Sequence, residues 1–218
     1  IASWIEGGYS YHNDANYNTV IIKDSVINAH IYGGDSHHKD ATGNKVIIAG
    51  DSDINGTIYG GYAMVPDGED IGNWSGMADD NTIIIKDNAK MDGAQIYGGY
   101  VSITKAMEDY IENNGGKVDE SMFTKENNTL TLDGWSGSVQ AVRSCDNVNF
   151  YNMNLSQFVN NSNNPVLTIT GTSVHDSFSN IIGTDNTENL GSKNINIGLS
   201  FQGGQDINAG ETIRLVQM

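Results

Sequence analysis

"NGTIYGGY", residues 55–62, holds a glycine pair between two tyrosines, and the chain writes this stretch again and again. "WIEGGY" (4–9), "HIYGGD" (30–35), "TIYGGY" (57–62) and "QIYGGY" (95–100) share one frame, with the leading isoleucine at positions 5, 31, 58 and 96. A second motif alternates with the first: "NTVIIKD" (18–24), "NKVIIAGD" (44–51), "NTIIIKD" (81–87) and "NTLTLD" (128–133). Self-similarity at such a period is the signature of a repeat architecture.

Within the second motif, Val20, Val46, Ile83 and Leu130 alternate with Ile22, Ile48, Ile85 and Leu132 in the period-2 pattern of a strand with one buried face. Between them stand Ile21, Ile47, Ile84 and Thr131, β-branched as strands prefer and directed outward. The distance from each Asn to the next motif isoleucine is nearly constant, at 13, 14 and 15 residues (18 to 31, 44 to 58, 81 to 96). The return from the second glycine varies instead, with 9, 9, 19 and 28 residues in segments 9–17, 35–43, 62–80 and 100–127. All insertions therefore fall on one edge of the repeat.

A unit of this size cannot bury its own apolar stripe, so successive units must stack, each strand pairing with its copies above and below. This predicts an all-β chain, a parallel β-helix of about eight rungs and about 40 Å of stack at strand spacing. In such a stack Asn18, Asn44, Asn81 and Asn128 form a column about 4.8 Å apart, close enough for amide-to-amide hydrogen bonds. In "IYGGY" the isoleucine is expected to point into the core, the first tyrosine out, and the glycine pair to turn the chain at a corner where a Cβ would clash. Tyr32, Tyr59 and Tyr97 then form an outward ladder with Glu6 below and Gln140 above, which reads either as a stabilised sheet surface or as a platform for a sugar or protein ligand.

After residue 133 the repeats degrade: "WSGSVQAV" (135–142) stands where the glycine-pair motif is due, followed by "NVNFYNMNL" (147–155), "PVLTITG" (165–171), "NINIGLSF" (194–201) and a closing strand in "INAGETIRLVQ" (207–217). The expected organisation is one domain over 1–218, regular over 1–140 and degenerate over 141–218. The only helix expected is a short one at 104–114, with Met107, Tyr110 and Ile111 on one face and glycines closing it.

Composition narrows the function. Glycine (26) and asparagine (27) favour turns over helices, and a net charge of -16 repels nucleic acid and anionic membranes. No apolar run approaches the roughly 20 residues of a membrane-spanning helix. The single cysteine, Cys145, excludes an internal disulfide and reads as a small buried hydrophobe. The start "IASWIEGG" suggests a piece of a longer chain whose leader lies elsewhere.

Catalytic material is thin. Asp24, Asp51, Asp87 and Asp133 follow the second-motif strands and could line one edge, but Asp at a strand-ending turn usually caps its own backbone. The five histidines have no zinc spacing, and "HHKD" (37–40) reads as a solvated turn, so no metal or other cofactor is expected. The acidic insert 66–80 offers oxygen ligands for calcium but no recognised calcium-loop pattern. Cys145 has no neighbouring histidine to activate it, and no nucleophile motif is present.

The strand "N-x-V-x-I", the "IYGGY" copies and the closing "GETIRL" (210–215) resemble the passenger regions of bacterial type V autotransporters and related adhesins. The resemblance implies a right-handed β-helix exported through the outer membrane and displayed on the cell surface, engaged in adhesion or aggregation. The implied partners are a host-cell protein or glycan, or a further copy on another cell. Candidate ligand-binding residues are Tyr32, Tyr59 and Tyr97 on the sheet and Trp74 and Tyr110 in the inserts, where Met77, Met107, Met122 and Phe123 add exposed apolar surface. The alternative is a polysaccharide-processing enzyme, a lyase or glycoside hydrolase, since β-helices also carry those.

Overall fold

The computed structural model describes residues 4–65, 76–103, 123–171 and 195–217. The second motif forms one sheet of six strands, Thr19–Lys23, Lys45–Ala49, Thr82–Lys86, Thr129–Asp133, Asn147–Met153 and Asn196–Phe201, stacked in chain order. The glycine-pair motif forms another: Trp4–Glu6, His30–Ser36, Thr57–Val65, Gln95–Ile103 and Ala141–Arg143, with Tyr9–Ser10 also pairing to His30–Ser36. Each strand pairs in parallel with its copy from the next pass of the chain. Two smaller parallel sheets complete the described strands: Val26–Ile27 with Asp53–Ile54, and Gly137–Val139 with Leu167–Ile169 and Val216–Gln217.

Register follows the sequence columns. Val20 pairs with Val46, Val46 with Ile83, Ile83 with Leu130, and Leu130 with Val148; Ile5, Ile31, Ile58, Ile96 and Val142 align in the other sheet. Both columns enter one apolar cluster, in which Ile31, Ile58, Ile96, Val46, Ile83 and Leu130 are wholly buried. Cys145 lies in the same cluster, and burial pushes its thiol up to about 12, so it is a neutral hydrophobe.

Each second-motif strand is bracketed by left-handed residues. Before it stand Tyr17, Gly43, Asp80 and Asn127 at φ 55° to 66°; after it stand Asp24, Gly50, Asp87 and Gly134 at φ 50° to 67°. Gly, Asn and Asp tolerate this region best, and seven of these eight positions carry one of them. The four aspartates expected along one edge therefore fall into different columns. Asp24 and Asp87 occupy the turn position shared with Gly50 and Gly134, whereas Asp133 ends its strand one residue earlier and Asp51 follows one later. Instead of capping their own turns, Asp24 and Asp87 cap the backbone of the adjacent pass, Asp24 Oδ1 accepting from the Asp51 N–H at 3.0 Å and Asp87 Oδ2 from the Gly50 N–H at 2.9 Å, while Asp51 and Asp133 accept from the side-chain amides of Asn88 and Asn152.

The asparagine column is a hydrogen-bonded ladder. Asn44 Oδ1 accepts from the backbone N–H and the side-chain amide of Asn18 (2.9 and 3.1 Å), Asn81 does the same for Asn44, and Asn128 for Asn81. Asp146 ends it by accepting from the Asn128 N–H at 3.0 Å. The glycine pair makes room for neighbouring backbone carbonyls, which stand 2.0 to 2.2 Å from each Cβ position, and for this ladder. A Cβ on Gly34, Gly61 or Gly99 would stand 2.6 Å from the side-chain nitrogen of Asn44, Asn81 or Asn128, and one on Gly33, Gly60 or Gly98 would stand 2.2 Å from a backbone oxygen of the next pass. Strand pairing continues past Gly33–Gly34, Gly60–Gly61 and Gly98–Gly99, but the alternation of faces breaks there: Tyr59 and Tyr62, three residues apart, meet at 5.3 Å on one side. The expected clash of a Cβ is present, and the pair redirects the side chains as a bend does, but strand pairing continues past it instead of ending there.

Two further expectations are corrected. The strand motif 57–62 extends to Val65 and its copy to Ile103, pairing Tyr62 with Tyr100 and Ala63 with Val101, so the inserts begin later than spacing suggests. Past residue 133 the frame is displaced: Gly137–Val139 belongs to another sheet, and Ala141–Arg143 takes the glycine-pair register. The helix expected at 104–114 and the acidic stretch 66–75 lie outside the described residues.

Candidate functional site

The outer face of the glycine-pair sheet carries two columns of side chains. In the first, Glu6, Tyr32, Tyr59, Tyr97 and Arg143 stand in register. Arg143, not Gln140, therefore lies above Tyr97; Gln140 bonds through its side chain to Gln95 at 3.0 Å. In the second column Tyr9, Asp35, Tyr62 and Tyr100 align.

The rings of the first column stack face to face, Tyr32 on Tyr59 at 4.9 Å and 11°, Tyr59 on Tyr97 at 5.3 Å and 22°. Tyr62 and Tyr100 stack at 5.3 Å and 5°, and meet the first column edge-on at 71° to 87°. Such a herringbone satisfies the quadrupoles of all five rings. Arg143 closes the upper end, its guanidinium 5.2 Å from the Tyr97 ring centroid and donating to the Tyr97 hydroxyl. Tyr97 points outward as expected, but these neighbours leave it only 8% exposed, while Tyr32 and Tyr59 stay half-buried.

Stacking consumes the ring faces, so the sheet offers a partner ring edges and hydroxyls rather than flat platforms for a sugar. Burial, together with neighbouring acidic and phenolic groups, raises the Tyr32 phenol to about 12 and Tyr59 further. Both therefore stay protonated at physiological pH and act as neutral hydrogen-bonding groups.

Asp35 takes a tyrosine position in the second column and is 6% exposed. Burial first, and then the Glu6 charge, raises its carboxyl to about 7. His37 Nε2 stands 3.5 Å from Asp35 Oδ1, an oxygen without a hydrogen bond. A charged pair there would lower the carboxyl and raise the imidazole, yet burial moves both the other way, so desolvation governs this contact. The "HHKD" turn is not merely solvated: His37 meets Tyr9 at 5.1 Å, and His38 meets Tyr11 at 4.9 Å and His12 at 5.1 Å.

Among the described residues no group of three or more His, Cys, Asp or Glu has metal-binding geometry. A depression of about 310 Å³ is lined by Leu155, Gln205, Asp206 and Glu211 among others, where Glu211 Oε2 accepts from the N–H and side-chain amide of Asn208 and Gln205 Oε1 from the Leu155 N–H. Of the insert residues, Trp74, Tyr110, Met107 and Met122 lie outside the described residues. Met77 is half-buried, and Phe123 is 2% exposed and so belongs to the interior, not the surface.

Sequence reasoning missed Tyr62, Tyr100, Asp35 and Arg143. The first three were in plain sight as the last letter of each motif copy, but ending the strand at the glycine pair left them out of the sheet. No family model, curated protein or solved structure matches the chain.

Proposed function

We propose that the chain is a right-handed parallel β-helix that works as a non-catalytic adhesion module on the bacterial outer surface, with the tyrosine face as its contact surface. In-register parallel pairing of successive passes supports the coil, since parallel crossovers are right-handed almost without exception. The observation that carries the function is the herringbone of Tyr32, Tyr59, Tyr62, Tyr97 and Tyr100 with charged groups at both ends. Tyrosine and arginine are the residues that dominate protein contact energies, and a rigid sheet presents them at low entropic cost.

The test is display of the chain on an inert bacterial cell, scored for self-aggregation and for adhesion to host cells and matrix. Tyr59→Ser with Tyr62→Ser is expected to cut attachment at least tenfold while display level and protease resistance stay as in the wild type. Full attachment by that variant overturns the assignment of the face; loss after replacement of segments 66–75 and 104–122 would move it to the inserts.

A further inference from the structure

We infer that the lower end of the stack, at Thr19–Lys23, is a docking edge for one more asparagine strand of the same repeat, supplied from the N-terminal side of the same polypeptide. The inference stands apart from the tyrosine face and its proposed role. Among the described residues Trp4–Glu6, Thr19–Lys23 and Val26–Ile27 each end their sheet, paired only with the copy in the pass above. Solenoids close such ends with a polar cap, because bare strand edges invite further pairing. This end is apolar instead: Ile21 is 66% and Val26 68% exposed, whereas Ile47 and Ile84, in the column of Ile21, are half-buried.

The backbone at this edge is poised to bond downward. The Lys45 N–H donates to the Asn18 carbonyl and the Thr82 N–H to the Asn44 carbonyl, each at 2.8 Å and each one pass below. Thr19 stands in the register of Lys45 with no described pass beneath it, so its N–H, and by the alternation of a parallel ladder those of Ile21 and Lys23, face the open edge. The edge also specifies its occupant. In the ladder each Oδ1 accepts from the backbone N–H and side-chain amide of the asparagine one pass below, and Asn18, the lowest, is the one member whose Oδ1 accepts no such pair among the described residues. An asparagine beneath Asn18 completes the pattern, and aliphatic side chains beneath Val20 and Ile22 continue the columns of Val46, Ile83 and Leu130 and of Ile48, Ile85 and Leu132.

A second folded copy has no strand that fits. The interior strands of this sheet are paired on both sides, and the strand at its upper edge, Asn196–Phe201, follows Ile195, which has no side-chain amide to offer. A strand in the same polypeptide is already held close to the edge by its linkage. Register sets the length of that linkage. Trp4 pairs with His30 and Thr19 with Lys45, so a copy of "NTVIIKDSV" (18–26) placed directly ahead of Ile1 sets its asparagine 13 residues before Ile5, the spacing of Asn18 to Ile31.

Hydrogen exchange of the chain carrying this nine-residue extension tests the edge. The Thr19, Ile21 and Lys23 amides are expected to exchange about tenfold more slowly, or slower still, than in the unextended chain. An extension one residue shorter turns the aliphatic side chains to the wrong face and is expected to leave these amides as they were. An in-frame extension with its leading asparagine replaced by leucine is expected to give back most of the protection at Thr19. No slowing by the in-frame extension, or equal slowing by the shortened or the leucine version, would each overturn the docking edge. None of these readouts involves attachment of displaying cells, so their failure leaves the adhesion reading standing.

Discussion

Gly60→Ala is expected to lower stability by about 3 kcal/mol, the upper range for forcing extra volume into a close-packed interior. The new Cβ would lie 2.2 Å from the Gly98 carbonyl oxygen and 2.8 Å from Asn81 Cβ. The first is backbone held in the sheet and the second belongs to the asparagine ladder, so neither is the yielding end of a flexible side chain. For a chain of this length the melting temperature should fall by about 10 °C. Gly204→Ala is the control: nothing lies within 4 Å of its Cβ, and only its φ of +68° resists, at about 1 kcal/mol. Equal melting of the two variants would contradict the close approach.

Ile85→Asp should have the larger effect still. Ile85 is wholly buried between Ile48 and Leu132, and its replacement loses that burial while placing a carboxyl among aliphatic side chains. The combined cost is about 5 kcal/mol or more, comparable to the whole stability of many domains. Ile84→Asp, one residue away on the outward side, is expected to cost about 1 kcal/mol, because its side chain already meets solvent. Chemical denaturation of the pair reads the contrast directly, and similar midpoints would mean that the strand does not face the core as described.

The columns that set the register were legible because burial imposes period 2 on Val20, Val46, Ile83 and Leu130 and leaves little else that could occupy them. The ladder was legible for a related reason, since stacked Asn at one position can satisfy one another only if the copies lie in register. The frame past residue 133 was not. There Val142, Arg143, Ser144 and Cys145 stand where earlier copies carry Ile, Tyr and two glycines, and no letter survives to mark the alignment. Arg143 was lost with that frame, and with it the charge at the upper end of the tyrosine column. The second column escaped notice for a different reason. A glycine pair does not show in sequence whether strand pairing ends at it or continues past it, and here it continues, with backbone and the asparagine ladder within 3 Å.

The interlock of glycine pair and asparagine ladder holds the tyrosine columns in register, and hydrogen exchange of the Asn44, Asn81 and Asn128 backbone amides tests it most directly. Each donates to a side-chain oxygen one pass further on, at 2.9 to 3.0 Å, at a position buried to 1% exposure or less and outside any strand ladder. The expected result is protection equal to that of the core strand amides at Val46, Ile83 and Leu130, with exchange only on global opening. Exchange of these three amides at the rate of an exposed turn such as Asn13 would contradict the ladder, and with it the register that brings the tyrosines together.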